Sequence, residues 1–151
     1  NLYSEYLDGK REFVQIGLDA EKGDLINSQD KPTVLVVVVG ETARGSSFSL
    51  GEYARKTNPY LEQKNNLFYF DDVTTCATST ATAVPCMFSD KPRARFNTSE
   101  AKYRDNVLDI IYRTGVDMLW LENDGGSKGV SDRIPTIDVS KYDSPFCADG
   151  V

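Results

Sequence analysis

Residues 33–39, with the sequence TVLVVVV, are the stretch that decides the fold of this chain. They form an uninterrupted run of β-branched and aliphatic side chains without a charge. Such a run is typical of a central strand in a parallel sheet, because helices cover both faces of that sheet and no strand residue has to face water. The sequence therefore predicts a buried strand that ends sharply at Gly40, Glu41 and Thr42.

The segments that flank this strand alternate between strand-like and helix-like patterns. Two further strands are predicted at residues 67–70 and 116–121, and helices at residues 60–64, from Thr78 or Ser79 toward Phe88, and at 98–114. Residues before 31 are polar with one loose helix, and those after Gly129 lose periodicity and suggest irregular surface. The alternation of strands and helices predicts an α/β layer architecture.

Composition limits the classes of function. The chain has 151 residues, near the usual size of one domain, with 40% hydrophobic and 26% charged residues. Its 17 basic and 23 acidic residues give a net charge of −6, so binding to nucleic acid has no electrostatic support. The longest apolar run is far too short to span a bilayer.

The chain has three cysteines and no histidine. This excludes a structural zinc site made of cysteine and histidine, and also a catalytic Ser-His-Asp or Cys-His group within the chain. A bridge between Cys76 and Cys86 would close an eleven-residue loop and would indicate an oxidising compartment. Cys147 would then lack a partner in this sequence.

Residues 74–82 carry six hydroxyl side chains, and residues 73–89 have no ionisable group other than two cysteines. A hydroxyl held rigidly in a partly buried loop can act as a nucleophile when a metal or a base lowers the cost of its ionisation. A turn in which the hydroxyls only satisfy nearby backbone groups is the alternative.

Three polar turns follow the three predicted strands, and in a parallel sheet they would share one edge. They carry Glu41, Thr80 and Lys128. A metal on Glu41 that also coordinated the Thr80 oxygen would favour transfer at phosphorus or sulfur, with Lys128 opposite a phosphate. The alternative for Glu41 is a carboxylate that only stabilises the first turn of a helix. The alternative for Lys128 is a solvated side chain.

Three ordered motifs carry a resemblance to a known family: VVGETAR at 38–44, CATSTA at 76–81 with VPCMFS at 84–89, and Asn123 with Lys128 and Gly129. The chain closely resembles the phosphoethanolamine transferases of Gram-negative inner membranes, which decorate lipid A and can confer polymyxin resistance. The resemblance runs from about residue 31 to at least Asp132. Residues 16–20 are also similar to the segment that follows the membrane domain in that family.

The resemblance implies a three-layer α/β/α sandwich of the alkaline-phosphatase and sulfatase type, incomplete in this chain. Residues 1–30 would lead in from a membrane domain that the chain does not contain, and residues 31–151 would be the N-terminal half of the catalytic domain. That domain would stand on the periplasmic face of the inner membrane, tethered by N-terminal helices.

The resemblance also assigns the site. Glu41 corresponds to a zinc ligand, and Thr80 to a second ligand and to the nucleophile that takes phosphoethanolamine from phosphatidylethanolamine and passes it to lipid A or another glycan acceptor. The remaining assignments are substrate contacts at Thr78, Asn123 and Lys128, and a disulfide between Cys76 and Cys86.

Several positions depart from the family pattern. Members complete the zinc site with an Asp-His pair and further histidines, and this chain has none. Ser127 and Ser131 stand where some relatives carry a cysteine pair, Ala77 stands where glycine is common, and Cys147 resembles half of a later disulfide. We therefore expect the isolated chain to be inactive. A related phosphatase, sulfatase or phosphoglycerol transferase, and a non-catalytic binding module of the same fold, remain the alternatives.

Overall fold

The computed structural model describes residues 11–27, 31–140 and 142 of the chain. These residues form two compact units. The larger one comprises the described residues within Asn1–Val34 and Cys76–Val151, and the smaller one comprises Leu35–Thr75. Each unit is described by itself.

The larger unit contains short helices and one small sheet. Its elements are α1 (Asp24–Asn27), α2 (Thr80–Met87), a 3-10 helix (Arg93–Arg95), α3 (Thr98–Ala101), α4 (Val107–Arg113), β1 (Trp120–Glu122) and β2 (Thr136–Asp138).

Helix α2 matches the prediction that a helix runs from Thr78 or Ser79 toward Phe88. Ser79 is its N-cap residue and Phe88 its C-cap residue. The helix continues through the buried Pro85, whose missing N–H leaves the carbonyl of Ala81 without its usual partner four residues on. The predicted start and end of this element are therefore confirmed.

The single helix predicted over residues 98–114 is wrong, because the structure divides it into α3 and α4. The division lies at Asn106, whose backbone is extended and whose side chain accepts a hydrogen bond from the N–H of Leu108 at 2.8 Å. The Asp109 carboxylate in turn accepts from the N–H of Asn106 at 2.7 Å, which completes a capping box. These side chains satisfy the backbone better than a continuous helix would, so a new helix begins there.

Strand β1 overlaps the end of the strand predicted over residues 116–121 and pairs in parallel with β2. In this register Trp120 lies opposite Thr136, and Glu122 opposite Asp138. Strand β2 falls in the region that the sequence indicated to be irregular, so that expectation is wrong at this point. The missed signal is short, a single Thr-Ile pair after Pro135.

The core of the larger unit lies where α2, β1 and the segment before β2 meet. Its buried apolar residues are Cys86, Phe88, Val130 and Ile134. Phe88 packs edge-on against Trp120 with ring centroids 5.9 Å apart, and its carbonyl accepts from the N–H of Val107 at 2.9 Å. The end of α2 is thereby fixed against both β1 and α4.

The segment near residue 16 packs on α4 and the loop before it. Val14 and Arg104 form a parallel bridge, and the buried Asp105 accepts from the N–H of Ile16 at 3.0 Å and pairs with Arg113 at 2.7 Å. Gly17 has a φ of +59°, and a Cβ there would lie 3.1 Å from Ile110. Glycine thus permits both the turn and the close approach to α4.

The smaller unit has two 3-10 helices, Gly45–Ser47 and Ser49–Gly51. Ser49 and Thr57 link its two halves, since the Thr57 hydroxyl accepts from the N–H of Ser49 at 2.8 Å and donates to the carbonyl of Ser47 at 2.7 Å. Phe48 and Tyr69 stack with centroids 6.5 Å apart. The helix predicted at residues 60–64 is reduced to turns.

Neither strand predicted in or next to this unit forms. Residues 34–38 are 67% to 85% exposed, and residues 67–70 also lack strand structure. A buried parallel strand needs a hydrogen-bonded partner, and the only paired strands among the described residues are β1 and β2. These two predictions are therefore wrong for this structure.

Candidate active site

Thr80 is the first residue of α2, at the end of the loop that carries the six hydroxyls. The preceding Ser79 is extended, with φ −92° and ψ 127°, and its side chain does not cap the helix. Its carbonyl accepts from the N–H groups of Thr82 and Ala83 at 3.0 and 2.8 Å. The positive end of the helix dipole thus points toward the loop, which favours a negatively charged group beside Thr80.

A disulfide between Cys76 and Cys86 holds this loop, with the two Cα atoms 6.3 Å apart. Cys86 is buried in the last turn of α2, so the bridge ties the chain before Thr80 to the far end of the helix that Thr80 begins. The predicted pairing is confirmed. Cys147 lies outside the described residues.

A cavity of about 450 Å³ lies beside α2. Ala81 and Pro85 line it from one face of that helix, Lys102 lines it from the end of α3, and Lys128 lines it from the turn after β1. Asn106 and Val130 lie in its wall. The cavity therefore joins the helix of the candidate nucleophile to the candidate phosphate-binding lysine.

Lys128 occupies a strained turn. Its φ is +57°, in the left-handed region that a residue other than glycine rarely adopts, and Gly126 and Gly129 have φ values of +95° and +89°. The Lys128 ammonium donates to the carbonyl of Gly125 at 2.7 Å. This conformation costs about 1 kcal/mol or more and persists only where neighbouring contacts hold it.

Asn106 and Arg133 supply such contacts. The Asn106 side-chain amide donates to the carbonyl of Val130 at 2.9 Å, and Asn106 is itself buried. Arg133 donates to both oxygens of Asp109, at 2.8 and 2.7 Å. These residues join the N-terminus of α4 to the segment that follows Lys128, and neither is among the site residues predicted from the sequence. The capping-box spacing of Asn106 and Asp109 was the available signal.

Ser127 and Ser131 are hydrogen bonded to each other. Their hydroxyl oxygens are 2.9 Å apart, and the N–H of Ser131 also donates to the Ser127 hydroxyl at 3.1 Å. Ser131 is buried. A hydrogen bond thus links the two ends of the Lys128 turn.

The turn between β1 and Lys128 is organised around the carboxylate of Glu122. The Trp120 indole N–H donates to this carboxylate at 3.0 Å and the N–H of Asp124 at 2.8 Å. These hydrogen bonds hold the pKa of Glu122 below its ordinary value, with the indole as the main cause. Asn123, the predicted substrate contact, is exposed and lies between Glu122 and Asp124 in the sequence.

Glu41 lies in the smaller unit, in the exposed turn where its strand was predicted to end. The next residue, Thr42, has a φ of +49°, which is unusual for a β-branched side chain. Thr78 is exposed in the loop before α2 and, like Asn123, does not line the cavity. Of the predicted site residues in the larger unit, Lys128 lines the cavity, whereas Thr80 does not, although Ala81, the next residue of its helix, does.

The larger unit has a candidate nucleophilic hydroxyl at the start of a helix and a polar turn after β1. Comparison with known families gives a class of protein that fits this arrangement. The model of the sulfatase family matches residues 33–149. The chain therefore belongs to the sulfatase family.

More specific similarity is to phosphoethanolamine transferases. The chain is 45% identical over 139 residues to phosphoethanolamine transferase EptA of Salmonella typhimurium, a match that covers 91% of this chain and 25% of that protein. The structure resembles the integral membrane protein lipooligosaccharide phosphoethanolamine transferase A of Neisseria meningitidis, with a TM-score of 0.79 and 34% identity, over 96% of this chain and 27% of that one. It also resembles the C-terminal periplasmic domain of EptC of Campylobacter jejuni, with a TM-score of 0.70 and 38% identity, over 83% and 38% of the two chains.

These similarities confirm the family resemblance and, at the level of class, the α/β fold of the sulfatase type. The chain spans about a quarter of the length of the relative from Salmonella typhimurium. Within the described residues, no helix is long and apolar enough to cross a membrane.

Proposed function

We propose that the protein to which this chain belongs transfers phosphoethanolamine from phosphatidylethanolamine to lipid A or a related glycan acceptor. The similar proteins are named phosphoethanolamine transferases, which supports phosphoethanolamine as the group that is transferred. The observation that carries the proposal is the place of Thr80, at the first position of a disulfide-tied helix whose face lines the same cavity as Lys128.

The proposed reaction has two displacements at phosphorus. The Thr80 hydroxyl oxygen bonds to the phosphorus of the donor, the bond from phosphorus to the glycerol oxygen breaks, and diacylglycerol leaves with a proton. An acceptor hydroxyl oxygen then bonds to phosphorus, the bond to the Thr80 oxygen breaks, and the proton of the acceptor hydroxyl restores the Thr80 hydroxyl. Negative charge grows on the phosphoryl oxygens in both steps.

Two features of this chain would stabilise the negative charge that grows on the phosphoryl oxygens. Thr80 is the first residue of α2, at the helix end where the dipole favours negative charge. Lys128, which lines the cavity beside α2, adds a compact positive charge. Thr78 and Asn123 are proposed as further substrate contacts, because both flank these elements in exposed loops.

Zinc belongs to the proposal for the whole protein, with Glu41 and Thr80 as the ligands that this chain provides. A zinc site takes four ligands, commonly three of them from protein in catalytic sites. The sequence has no histidine, and no group of three or more carboxylates or cysteines among the described residues is placed to hold a metal. The residues that the structure describes therefore do not complete a zinc site, and neither displacement depends on one.

We further propose that the protein acts on the periplasmic face of the inner membrane, with a membrane domain before residues 1–30 and a complete three-layer α/β/α catalytic domain that begins near residue 31. The disulfide between Cys76 and Cys86 supports an oxidising compartment. The similar proteins from Neisseria meningitidis and Campylobacter jejuni, an integral membrane protein and a periplasmic domain, support the location.

The covalent intermediate provides the test. The full-length protein incubated with phosphatidylethanolamine should gain the mass of one phosphoethanolamine group, and peptide mapping should place it on Thr80. Thr80→Ala should abolish the adduct, whereas Thr80→Ser should retain it because the hydroxyl is kept. Thr82→Ala is the matched control, since it removes a hydroxyl two residues further along the same helix.

An adduct that survives Thr80→Ala would contradict the assignment of the nucleophile. An adduct with the mass of phosphoglycerol, formed in competition with phosphatidylglycerol, would instead favour a phosphoglycerol transferase. Retention of the fold without any adduct would favour a binding module.

A further inference from the structure

One short segment of this acidic chain is strongly basic. Residues 91–104 contain five basic residues and one acidic residue, a net charge of +4 within a chain of net charge −6. The basic residues are Lys91, Arg93, Arg95, Lys102 and Arg104. They lie on the 3-10 helix Arg93–Arg95, at its start, and around the end of α3.

Only one of these five cations is neutralised by a carboxylate within the part of the chain that the structure describes. Arg104 donates to both oxygens of Asp90, at 2.9 and 2.7 Å. The side chains of Lys91, Arg93, Arg95 and Lys102 form no ion pair among the described residues. Arg93, Arg95 and Lys102 are also exposed, so their charge faces solvent.

We call Lys91, Arg93, Arg95 and Lys102 the basic face. It adjoins the cavity beside α2, because Lys102 and Arg104 line that cavity while Lys91 and Arg104 line a small cleft next to it. Arg93 and Arg95 follow Lys91 within four residues. Four acidic residues lie near this face. Asp90 and Asp105 are paired with Arg104 and Arg113, Glu100 lies in α3, and Asp132 lines the cavity together with Lys102.

We propose that the basic face docks this domain on a bilayer that carries anionic phosphate headgroups, such as those of phosphatidylglycerol. The argument is charge complementarity. Each lysine or arginine near an anionic bilayer strengthens binding about fivefold, whereas a chain of net charge −6 without such a face would be repelled. Docking through this face would hold the cavity close to the lipid headgroups.

This inference concerns binding alone, so it stands or falls independently of the proposed transfer reaction. The purified 151-residue chain is mixed with vesicles of phosphatidylcholine, with or without phosphatidylglycerol, and the bound fraction is measured by flotation. We expect binding only to the anionic vesicles. It should be lost when salt rises from about 0.05 M to about 0.5 M, because the screening length then falls to about 4 Å.

Two triple variants test the position of the contact. Arg93→Gln, Arg95→Gln and Lys102→Gln together should weaken binding by on the order of 100-fold, from about fivefold for each cation. Arg55→Gln, Lys56→Gln and Lys64→Gln change the net charge equally at exposed positions of the smaller unit, and should leave binding within about threefold of the wild type. Circular dichroism checks that both variants keep the wild-type fold.

Three results would overturn the proposal. One is equal binding to neutral and anionic vesicles, another is the absence of binding to either, and the third is an equal loss in the two triple variants. If the first triple variant fails to fold, Arg93→Gln and Arg95→Gln are measured singly. Unchanged binding in both would also overturn it.

Discussion

At the scale of single residues, the site depends on side chains that hold backbone groups in place. Asn106 is the main example, because it caps α4 and also binds the carbonyl of Val130, two residues after Lys128. The sequence identified Lys128 as a candidate through its place among glycines. It did not identify Asn106, since the partner of its amide is 24 residues away.

We predict that Asn106→Ala lowers the free energy of unfolding by about 2 to 3 kcal/mol, because it removes a helix cap and leaves a buried carbonyl without a donor. The matched control is Asn97→Ala, which removes the exposed cap of α3 and should cost about 0.5 to 1 kcal/mol. Urea unfolding of both variants measures the difference. Equal losses would mean that the bond to Val130 contributes nothing.

A second prediction concerns acid stability. Hydrogen bonds from the Arg104 guanidinium hold the pKa of Asp90 below its ordinary value. Because the folded pKa is lower than the unfolded one, this pair stabilises the protein above the unfolded pKa, and its contribution is lost as the pH falls through the folded pKa. Asp90→Asn should therefore destabilise the protein at about pH 6 and converge with the wild type once the pH falls below the folded pKa of Asp90.

The effect at neutral pH should be less than about 1 kcal/mol, since solvent screens this partly exposed pair. Urea midpoints across the acid range are the measurement. Asp132→Asn is the control, because Asp132 is exposed and has no ion pair among the described residues. A constant difference between Asp90→Asn and wild type at every pH would count against the explanation.

At the scale of elements, the start of α2 was predictable because its determinants are local. Ser79 favours an N-cap, and the hydroxyl loop offers no competing charge. The division between α3 and α4 was less accessible, since apolar spacing across residues 98–114 also fits one continuous helix. Capping at Asn106 and the bonds of Asp105 to Ile16 and Arg113 decided against it.

The disulfide across α2 yields a prediction at this scale. The double variant Cys76→Ser with Cys86→Ser should lose about 2.5 to 3 kcal/mol, from the entropy of closing an eleven-residue loop in the unfolded chain. Chemical denaturation with and without a reducing agent measures the loss. Reductant should lower the midpoint of the wild type to that of the double variant and leave the double variant unchanged. An insensitive wild type would contradict the prediction.

At the scale of the whole molecule, the candidate site residues belong to two different units. Glu41 lies in the smaller unit, while Thr80 and Lys128 lie in the larger one. The valine-rich stretch near residue 36 remains exposed, because a strand-forming sequence becomes a buried strand only when other strands pair with it. The local sequence pattern shows which secondary structure a segment prefers, but it does not specify the strand with which that segment pairs.

We predict that residues 1–151 bind zinc only weakly, because the chain offers two proposed ligands where a zinc site needs four. Elemental analysis after gel filtration should find no retained equivalent of zinc. Glu41→Ala should then change nothing in the isolated chain. One tightly held equivalent that is lost in Glu41→Ala would contradict this expectation and would mean that the chain completes the site by itself.

The sequence by itself determined what rests on local or covalent chemistry. This includes the helix that Thr80 begins, the pairing of Cys76 with Cys86, the glycine-rich turn of Lys128 and, through ordered motifs, the family. Only the tertiary structure decided that α2 and Lys128 share a cavity, that Asn106 fixes the turn, and that residues 34–38 lie exposed. Those features depend on contacts between distant residues, and no local pattern specifies which distant residues will meet.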